Sequence, residues 1–201
     1  MKLIVALGDS TTAGTPLFLS PLEAPPDGRG DERSQFAYWL MQARPDWRVL
    51  NRGINGERSD QIAARFDRDV LAERPDAVII IAGVNDVYQG RPAAQVTPVL
   101  LGLYERAARG SIPVVAGSIV PYNTATPAAN AVMRAINRWI LDEASRRANL
   151  AFVDTRAATA AADDPDRLAG SPDGLHPDVD GYRRMAEVLE PALSEHLLDM
   201  R

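Results

Sequence analysis

Short apolar runs recur along the chain, and longer segments with apolar residues three or four positions apart separate them. The runs are rich in β-branched residues, and the third and fourth show little alternation with polar residues. Strands that are apolar on both faces are typical of a parallel sheet covered by helices on both sides. The runs predicted as strands are 2–7, 48–51, 77–82, 113–118 and 151–154.

Helix start and stop signals lie in the segments between these runs. Ser or Thr caps a helix, Pro is favoured in the first turn, and Gly is favoured beyond the last residue. Such signals occur at Ser59, at Thr126 followed by Pro127, and at Gly110. The predicted helices are one over 59–71, one over 92–109, one that begins at residue 127 and one over 181–198.

The alternation of strands and helices predicts an α/β fold, a three-layer α/β/α sandwich around a five-stranded parallel sheet with right-handed crossovers. Residues 1–201 contain no linker or repeat and are expected to form one domain. Ligands of such sheets gather at the carboxyl ends of the strands. Two irregular segments, 15–33 and 155–175, follow strand ends, and the first is expected either to cover the site as a lid or to pack on a neighbouring subunit.

Composition narrows the possible chemistry. The chain has no cysteine and two histidines among its 201 residues, which excludes disulfides, a cysteine nucleophile and a three-histidine metal site. The 22 basic and 27 acidic side chains give a net charge of −5, so no basic surface for nucleic acid is expected. A small neutral molecule is the expected partner.

The first apolar run resembles the start of a signal peptide but covers only residues 3–7. A secretory signal needs about 7–15 apolar residues, and a membrane span needs roughly 18. We therefore expect no membrane span and a cytoplasmic protein, or a secreted one if a leader has been removed.

Ser10 and His176 are the candidate nucleophile and base. Ser10 follows the first strand, where the N-terminus of a short helix would favour a developing oxyanion. Asp173 precedes His176 by three residues, a spacing that allows the carboxylate to orient the imidazole. Taken alone, the first motif is better explained as a turn, and the second fits a helix cap equally well. His196 lies in a polar stretch and is expected to be an ordinary surface histidine.

Two further motifs follow the second and third strands, 51–59 and 83–86. Each combines Asn with Gly, so each could supply a neutral backbone or amide N–H to a tetrahedral oxyanion. Asn and Gly are also ordinary turn residues. The position of all these motifs at strand ends favours a common site.

Taken in chain order, the motifs resemble those of the SGNH hydrolases, also called the GDSL esterases and lipases. The matching stretches are Gly8-Asp9-Ser10, Gly53-Ile54-Asn55-Gly56, Gly83-Val84-Asn85-Asp86 and Asp173-Gly174-Leu175-His176. The family often has Leu after the serine, where this chain has Thr11, so local packing is expected to differ. The Gly-x-Ser-x-Gly motif of other hydrolases and the phosphate-binding Gly-Lys-Ser/Thr loop do not occur in the sequence.

The resemblance implies a flavodoxin-like fold and a catalytic triad of Ser10, Asp173 and His176. It also implies an oxyanion hole formed by the Ser10 N–H, a glycine N–H and the side chain of Asn85. We assign the glycine to Gly56, because the donor glycine of the family comes just before the next helix.

Other residues of these motifs are given structural roles. Gly53 and Asn55 are interpreted as turn residues, and Ser59 as a cap. Asp9 and Asp86 are expected to accept hydrogen bonds from loop backbone behind the site.

The function implied is hydrolysis of carboxylic esters through an acyl-enzyme on Ser10, without a metal or organic cofactor. The family acts on short acyl esters, acetylated sugars, lysophospholipids and thioesters, and the sequence does not choose among them. Two alternatives remain open at this point: an acyltransferase that uses the same triad, and a non-catalytic binding domain with a flavodoxin-like sheet.

Overall fold

Five parallel strands form the centre of the computed structural model, which describes residues 1–199 and the side chains up to residue 195. The elements in chain order are β1 (Lys2–Gly8), α1 (Ser10–Ala13), β2 (Phe18–Leu19), β3 (Arg29–Gly30), α2 (Phe36–Ala43), β4 (Trp47–Gly53), α3 (Ser59–Ala64), α4 (Phe66–Asp69), β5 (Ala77–Ile81), α5 (Val84–Tyr88), α6 (Ala93–Arg109), β6 (Val114–Gly117), α7 (Pro127–Ala144), β7 (Leu150–Val153), α8 (Thr155–Thr159) and α9 (Val179–Asp199). Short 3-10 helices lie at Glu32–Ser34 and Leu71–Glu73.

The strand order in the main sheet is β4-β1-β5-β6-β7, and every pair is parallel. Counted along the chain, these strands have the flavodoxin-like order 2-1-3-4-5, in which the direction of winding reverses between β1 and β5. The predicted three-layer fold is confirmed. The reversal opens a crevice at the carboxyl ends of β1 and β5, the place where such sheets bind ligands.

Both faces of the sheet are buried, as the unbroken apolar runs predict. Along β1, Ile4 and Ala6 face one hydrophobic core, and Val5 and Leu7 face the other. This alternation follows from the period of two residues in a strand. Helices α2 and α9 supply the first core, and α3, α4, α6 and α7 supply the second. Within residues 1–199, no helix combines the length and apolar character needed to cross a membrane.

Two of the predicted helix signals act as expected. Thr126 caps α7, because its hydroxyl accepts a hydrogen bond of 3.1 Å from the Ala129 N–H, and Pro127 is the first helical residue. Gly110 follows the last residue of α6, and its N–H donates to the carbonyl of Arg106 at 3.1 Å. The final helix also forms where the sequence predicts it.

The prediction of one continuous helix over 59–71 is wrong. The segment forms α3, α4 and a 3-10 turn, and the first break lies at Arg65, whose side chain points towards the strand ends. Ser59 is not the cap but the first helical residue. Its N–H and hydroxyl donate to the carboxylate of Asp86 at 2.8 and 3.0 Å, so a distant residue stabilises the start of this helix.

The two irregular segments contain some regular structure. Segment 15–33 includes the short antiparallel pair β2–β3, and segment 155–175 begins with α8. The first segment packs beside the end of β4, where the Ser20 hydroxyl donates to the Gly53 carbonyl at 2.6 Å. The carboxylate of Glu23 accepts from the Asn55 N–H at 2.8 Å, which holds the loop after β4.

Candidate active site

Ser10 is the first residue of α1, directly beyond the end of β1. Asp9 caps this short helix by accepting a hydrogen bond of 3.0 Å from the Thr11 N–H. Gly8 has no room for a side chain, because a Cβ there would lie 2.1 Å from the Thr12 hydroxyl and 2.4 Å from the Ile81 carbonyl. The close approach of α1 to the sheet therefore fixes the position of Ser10, which is only 4% exposed.

His176 and Asp173 reach Ser10 from the loop before α9. The Nε2 atom of His176 lies 2.8 Å from Ser10 Oγ, and its Nδ1 atom lies 2.6 Å from Asp173 Oδ2. The structure thus brings together the three residues that the sequence predicted as a triad. With an ionised Asp173, the proton of the imidazole lies on Nδ1, and Nε2 can accept the proton of the serine.

Asp173 is held as a carboxylate. Partial burial raises its pKa, but hydrogen bonds outweigh burial and leave the pKa below its usual value. They come from the His176 ring and from the N–H groups of Leu175 and His176, each N–H at 2.9 Å from Oδ1. The same bonds close the loop into a tight turn, so the carboxylate positions both the ring and the backbone that carries it.

Two neighbouring residues that the sequence did not single out for this purpose hold the same turn. The Ser171 hydroxyl accepts from the Gly174 N–H at 2.8 Å and donates to the His176 carbonyl at 2.6 Å. The Asn123 N–H, after β6, donates to the Gly174 carbonyl at 2.7 Å. The orientation of the imidazole therefore depends on a strand end more than fifty residues away.

The two glycine- and asparagine-containing motifs lie at the same edge of the sheet. Gly56 adopts a left-handed conformation with φ 77°, and a Cβ there would meet no atom within 4 Å. Its conformation, rather than lack of space, requires glycine. Asn85 lies in the first turn of α5, and its Nδ2 donates to the Glu57 carbonyl at 2.9 Å.

A small cavity lies beside Ser10, with a volume of about 150 Å³. His176, Asn85 and Leu175 line it together with the aromatic rings of Tyr88 and Tyr122. The same two tyrosines form part of a more open groove of about 640 Å³ that continues towards the start of α7. The site therefore combines a narrow space next to the serine with a broad approach.

Asp9 is a fully buried carboxyl group next to the serine. Burial raises its pKa to about 7, an effect that the nearby Asp86 charge reinforces and that the Thr11 N–H and Arg65 partly oppose. Its Oδ2 atom has no hydrogen-bond partner among the described residues. The predicted backbone-binding roles of Asp9 and Asp86 are confirmed, since they accept from the N–H groups of Thr11 and Ser59.

Other candidates and predictions can now be placed. Gly53 is not a turn residue: it ends β4, and a Cβ there would lie 2.1 Å from the Ala13 nitrogen. His196 lies on α9, and its side chain is outside the described part of the structure. In the part that is described, no three His, Asp or Glu side chains converge where a metal ion could be held.

Comparison with known proteins identifies the family of this chain. Residues 6–184 match the model of the GDSL-like Lipase/Acylhydrolase family. The chain belongs to this family. Membership makes it a carboxylic ester hydrolase, as the sequence predicted, and the expected SGNH resemblance is confirmed.

Individual proteins similar to this GDSL hydrolase are also described as esterases or lipolytic proteins. An acetylxylan esterase from Geobacillus stearothermophilus is 31% identical over 152 residues, which cover 69% of this chain and 68% of the relative. A solved structure described as a G-D-S-L family lipolytic protein from Desulfitobacterium hafniense has a TM-score of 0.78 at 24% identity and covers 95% of this chain and 99% of its own. A variant of an acetyl-xylooligosaccharide esterase from Geobacillus stearothermophilus has a TM-score of 0.76 at 24% identity, with coverage of 96% and 94%. The two structures share the fold.

Proposed function

We propose that this GDSL hydrolase is a serine esterase that removes small acyl groups, foremost acetyl, from the hydroxyl groups of a larger alcohol such as a saccharide. The observation that carries the proposal is the chain of contacts from Ser10 Oγ through His176 to Asp173, with distances of 2.8 and 2.6 Å. A nucleophile, a base and a group that orients the base are the parts that acyl transfer to serine requires.

The first half of the reaction transfers the acyl group to the enzyme. Ser10 Oγ forms a bond to the carbonyl carbon of the ester while His176 Nε2 takes the serine proton. The tetrahedral intermediate then collapses: the bond to the alcohol oxygen breaks, and His176 returns the proton to that oxygen. The free alcohol leaves, and the acyl group remains on Ser10.

The second half regenerates the serine. His176 takes a proton from water as the water oxygen attacks the acyl carbon, and the proton returns to Ser10 Oγ when the carboxylic acid departs. In both halves we assign the negative oxygen to the N–H groups of Ser10 and Gly56 and to the Asn85 amide. Preorganised donors of this kind supply much of the rate enhancement in acyl transfer.

The dimensions of the site support a small acyl group. The cavity of about 150 Å³ beside Ser10 is smaller than the roughly 300–1,000 Å³ of pockets that enclose drug-sized ligands. The wider groove beyond Tyr88 and Tyr122 suits the alcohol part of the substrate. The name of the acetylxylan esterase relative also supports a small acyl group.

A panel of p-nitrophenyl esters from acetate to decanoate tests the preference for a small acyl group, and the same assay on Ser10→Ala tests the nucleophile. We expect kcat/KM to be highest for acetate and to fall about tenfold or more by octanoate, because each methylene beyond the size of the cavity has no favourable place. Ser10→Ala should abolish turnover of every ester while leaving the fold unchanged. A preference for octanoate or decanoate would contradict the small acyl group, and activity retained in Ser10→Ala would contradict the nucleophile.

A further inference from the structure

Arg65 is a buried cation behind the site that the reaction as proposed does not use. Its side chain is 7% exposed and stands behind the cavity wall rather than in it. The guanidinium donates to the Gly8 carbonyl and the Arg52 carbonyl, both at 2.8 Å. It also donates to the carboxylates of Glu57 and Asp69, both at 2.7 Å. One side chain thus connects the carboxyl ends of β1 and β4 to the loop that follows β4.

Two of the segments that Arg65 holds, at Gly8 and at Glu57, lead to proposed oxyanion donors. The Gly8 carbonyl is two residues before Ser10. Glu57 directly follows Gly56, and the Glu57 carbonyl accepts the hydrogen bond from Asn85 Nδ2 at 2.9 Å. A shift of Glu57 would therefore move both the Gly56 N–H and the amide of Asn85.

Arginine has the right shape for this task. Its planar guanidinium has five N–H donors in a fixed fork, whereas lysine has three donors on one nitrogen. Lysine would keep the charge but could not reach two carbonyls and two carboxylates that lie around the fork. The carboxylates of Glu57 and Asp69 also compensate the charge, which would otherwise be costly to bury.

We propose that Arg65 is a positioning residue that sets the geometry of the oxyanion hole by fixing Gly8 and Glu57 relative to each other. This inference rests on the proposed function, because it concerns the donors assigned there. Oxyanion donors act when they lie about 2.7–3.1 Å from the developing charge, and a misplacement of about 1 Å can lower the rate by about a hundredfold. Arg65 therefore affects turnover without contacting the substrate.

The main test compares Arg65→Lys with Asp69→Asn. Asp69 contacts the same guanidinium but leads to no donor, so its variant is the matched control for loss of stability. Turnover of p-nitrophenyl acetate is measured well below the unfolding temperature, and kcat is expressed per site labelled to completion by a fluorophosphonate. This normalisation removes any unfolded fraction from the comparison.

We expect Arg65→Lys to lower kcat about 30-fold with KM within about twofold, since the loss belongs to the transition state. Asp69→Asn should lower the unfolding temperature and leave kcat within about twofold of the wild type. Wild-type kcat in a folded Arg65→Lys variant would overturn the inference, and so would an equal loss of kcat in Asp69→Asn.

A double-mutant cycle separates positioning from a general structural effect. If Arg65 acts through the donors, Arg65→Lys should cost at least about threefold less in an Asn85→Ala background than in the wild type, because residues acting as a unit are not additive. If Arg65→Lys lowered kcat by the same factor in the Asn85→Ala background as in the wild type, the inference would be overturned.

If Arg65→Lys does not fold, Glu57→Gln tests the same link. It keeps the backbone carbonyl that accepts from Asn85 but weakens the bond from Arg65 Nε that holds this residue in position. We expect kcat to fall about fivefold at unchanged KM, and unchanged kcat would overturn the inference. A wild-type protein that neither hydrolyses esters nor labels Ser10 would instead reject the proposed function, so the two failures are distinguishable.

Discussion

Asn85 has two amide hydrogens, and the structure uses one of them. Its Nδ2 donates to the Glu57 carbonyl, and the side chain lines the cavity beside Ser10, where the second hydrogen can meet an oxyanion. Loss of such a donor costs about 2.7–4 kcal/mol of transition-state stabilisation. We expect Asn85→Ala to lower kcat for p-nitrophenyl acetate about 100- to 1,000-fold.

Asn149 provides the control for this variant. It lies before β7, at the opposite edge of the sheet from the site. Asn149→Ala removes an amide of the same size and should leave kcat within about twofold of the wild type. Circular dichroism checks that both variants fold, and a folded Asn85→Ala with wild-type turnover would remove Asn85 from the oxyanion hole.

Asp9 should make the protein less stable as the pH rises. Because burial raises its pKa from 3.8 to about 7, the folded state binds the proton more tightly than the unfolded state does. The resulting stabilisation is present below pH 3.8 and is lost as the pH rises through about 7. At about 1.4 kcal/mol for each tenfold change in proton affinity, the full effect is on the order of 4 kcal/mol.

Asp9→Asn isolates this effect, because asparagine keeps the shape and cannot ionise. The free energy of unfolding, measured by urea denaturation at several pH values, should change in favour of the variant between about pH 4 and pH 8 relative to the wild type. The difference between the two proteins removes the contribution of all other carboxylates. A difference that stays constant over this range would show that Asp9 titrates normally.

At this scale the sequence indicates which residues carry the chemistry but not what supports them. Ser10 and His176 stand in recognisable motifs, although they are 166 positions apart. Arg65 and Ser171 have no such signal. The bond from Arg65 to Gly8 joins residues 57 positions apart, and only the folded backbone creates the acceptor that it uses.

At the scale of elements, the packing of α1 against the strand ends positions the nucleophile. Gly53 ends β4 beside Gly8, and a Cβ at Gly53 would lie 2.1 Å from the Ala13 nitrogen and 2.6 Å from its Cα. Since these contacts are backbone atoms, α1 itself would have to move. We expect Gly53→Ala to destabilise the fold by about 1–3 kcal/mol and to lower activity, because overpacking displaces the neighbouring backbone.

Gly102 is the matched position for the opposite result. It lies inside α6 with no atom within 4 Å of an added Cβ. Alanine has the higher helix propensity, so Gly102→Ala should stabilise the protein by about 0.5–1 kcal/mol and leave activity unchanged. Thermal unfolding of both variants, together with turnover, gives the comparison. A neutral Gly53→Ala would show that α1 is not tightly fixed.

The strands were easier to predict than the helices. Five predicted strands form within two residues of their expected bounds, because burial on both faces leaves an unbroken apolar run. The predicted helix over 59–71 breaks at Arg65, whose backbone leaves the helical conformation (φ −103°, ψ 6°). Its guanidinium binds carbonyls of two strand ends that are distant in sequence, and such contacts leave no local signal. Helix α2 was not predicted at all: its eight residues begin after Gln35, which makes no side-chain cap bond.

At the scale of the whole molecule, the groove that extends from the cavity is formed by α5, the loop before α6, the loop after β6 and α7. Tyr88 stands at its junction with the cavity and is 60% exposed. Its ring packs against that of Tyr122, with centroids 5.7 Å apart, and its exposed surface can contact the alcohol part of a large substrate. We therefore assign Tyr88 to substrate binding.

Tyr88→Ala should separate large substrates from small ones. For an acetylated xylo-oligosaccharide we expect KM to rise about fivefold, the equivalent of about 1 kcal/mol of aromatic contact. For p-nitrophenyl acetate kcat should stay within about twofold. Leu141→Ala, at an exposed position on α7, is the control for a change at the surface. An equal effect on both substrates would contradict a binding role in the groove.

The overall topology follows from the sequence pattern, but the size of the cavity does not. The alternation of elements predicts a parallel sheet with its site at the carboxyl ends of the strands, and the strand order places Ser10 and Asn85 at the switch point. The volume beside Ser10 depends on how Tyr122 and Leu175 come together from loops 53 residues apart. Sequence alone therefore supports an ester hydrolase and leaves the acyl group open.

Labelling with a fluorophosphonate, read by peptide mass spectrometry, tests the central claim most directly. The wild type should gain one adduct, on Ser10, and His176→Ala should lose it at equal exposure. His196→Ala should label like the wild type, because residue 196 is 17 positions along α9 from its start, about 25 Å of helix. No adduct, an adduct on another residue, or equal labelling of His176→Ala would contradict a nucleophile on Ser10 activated by His176.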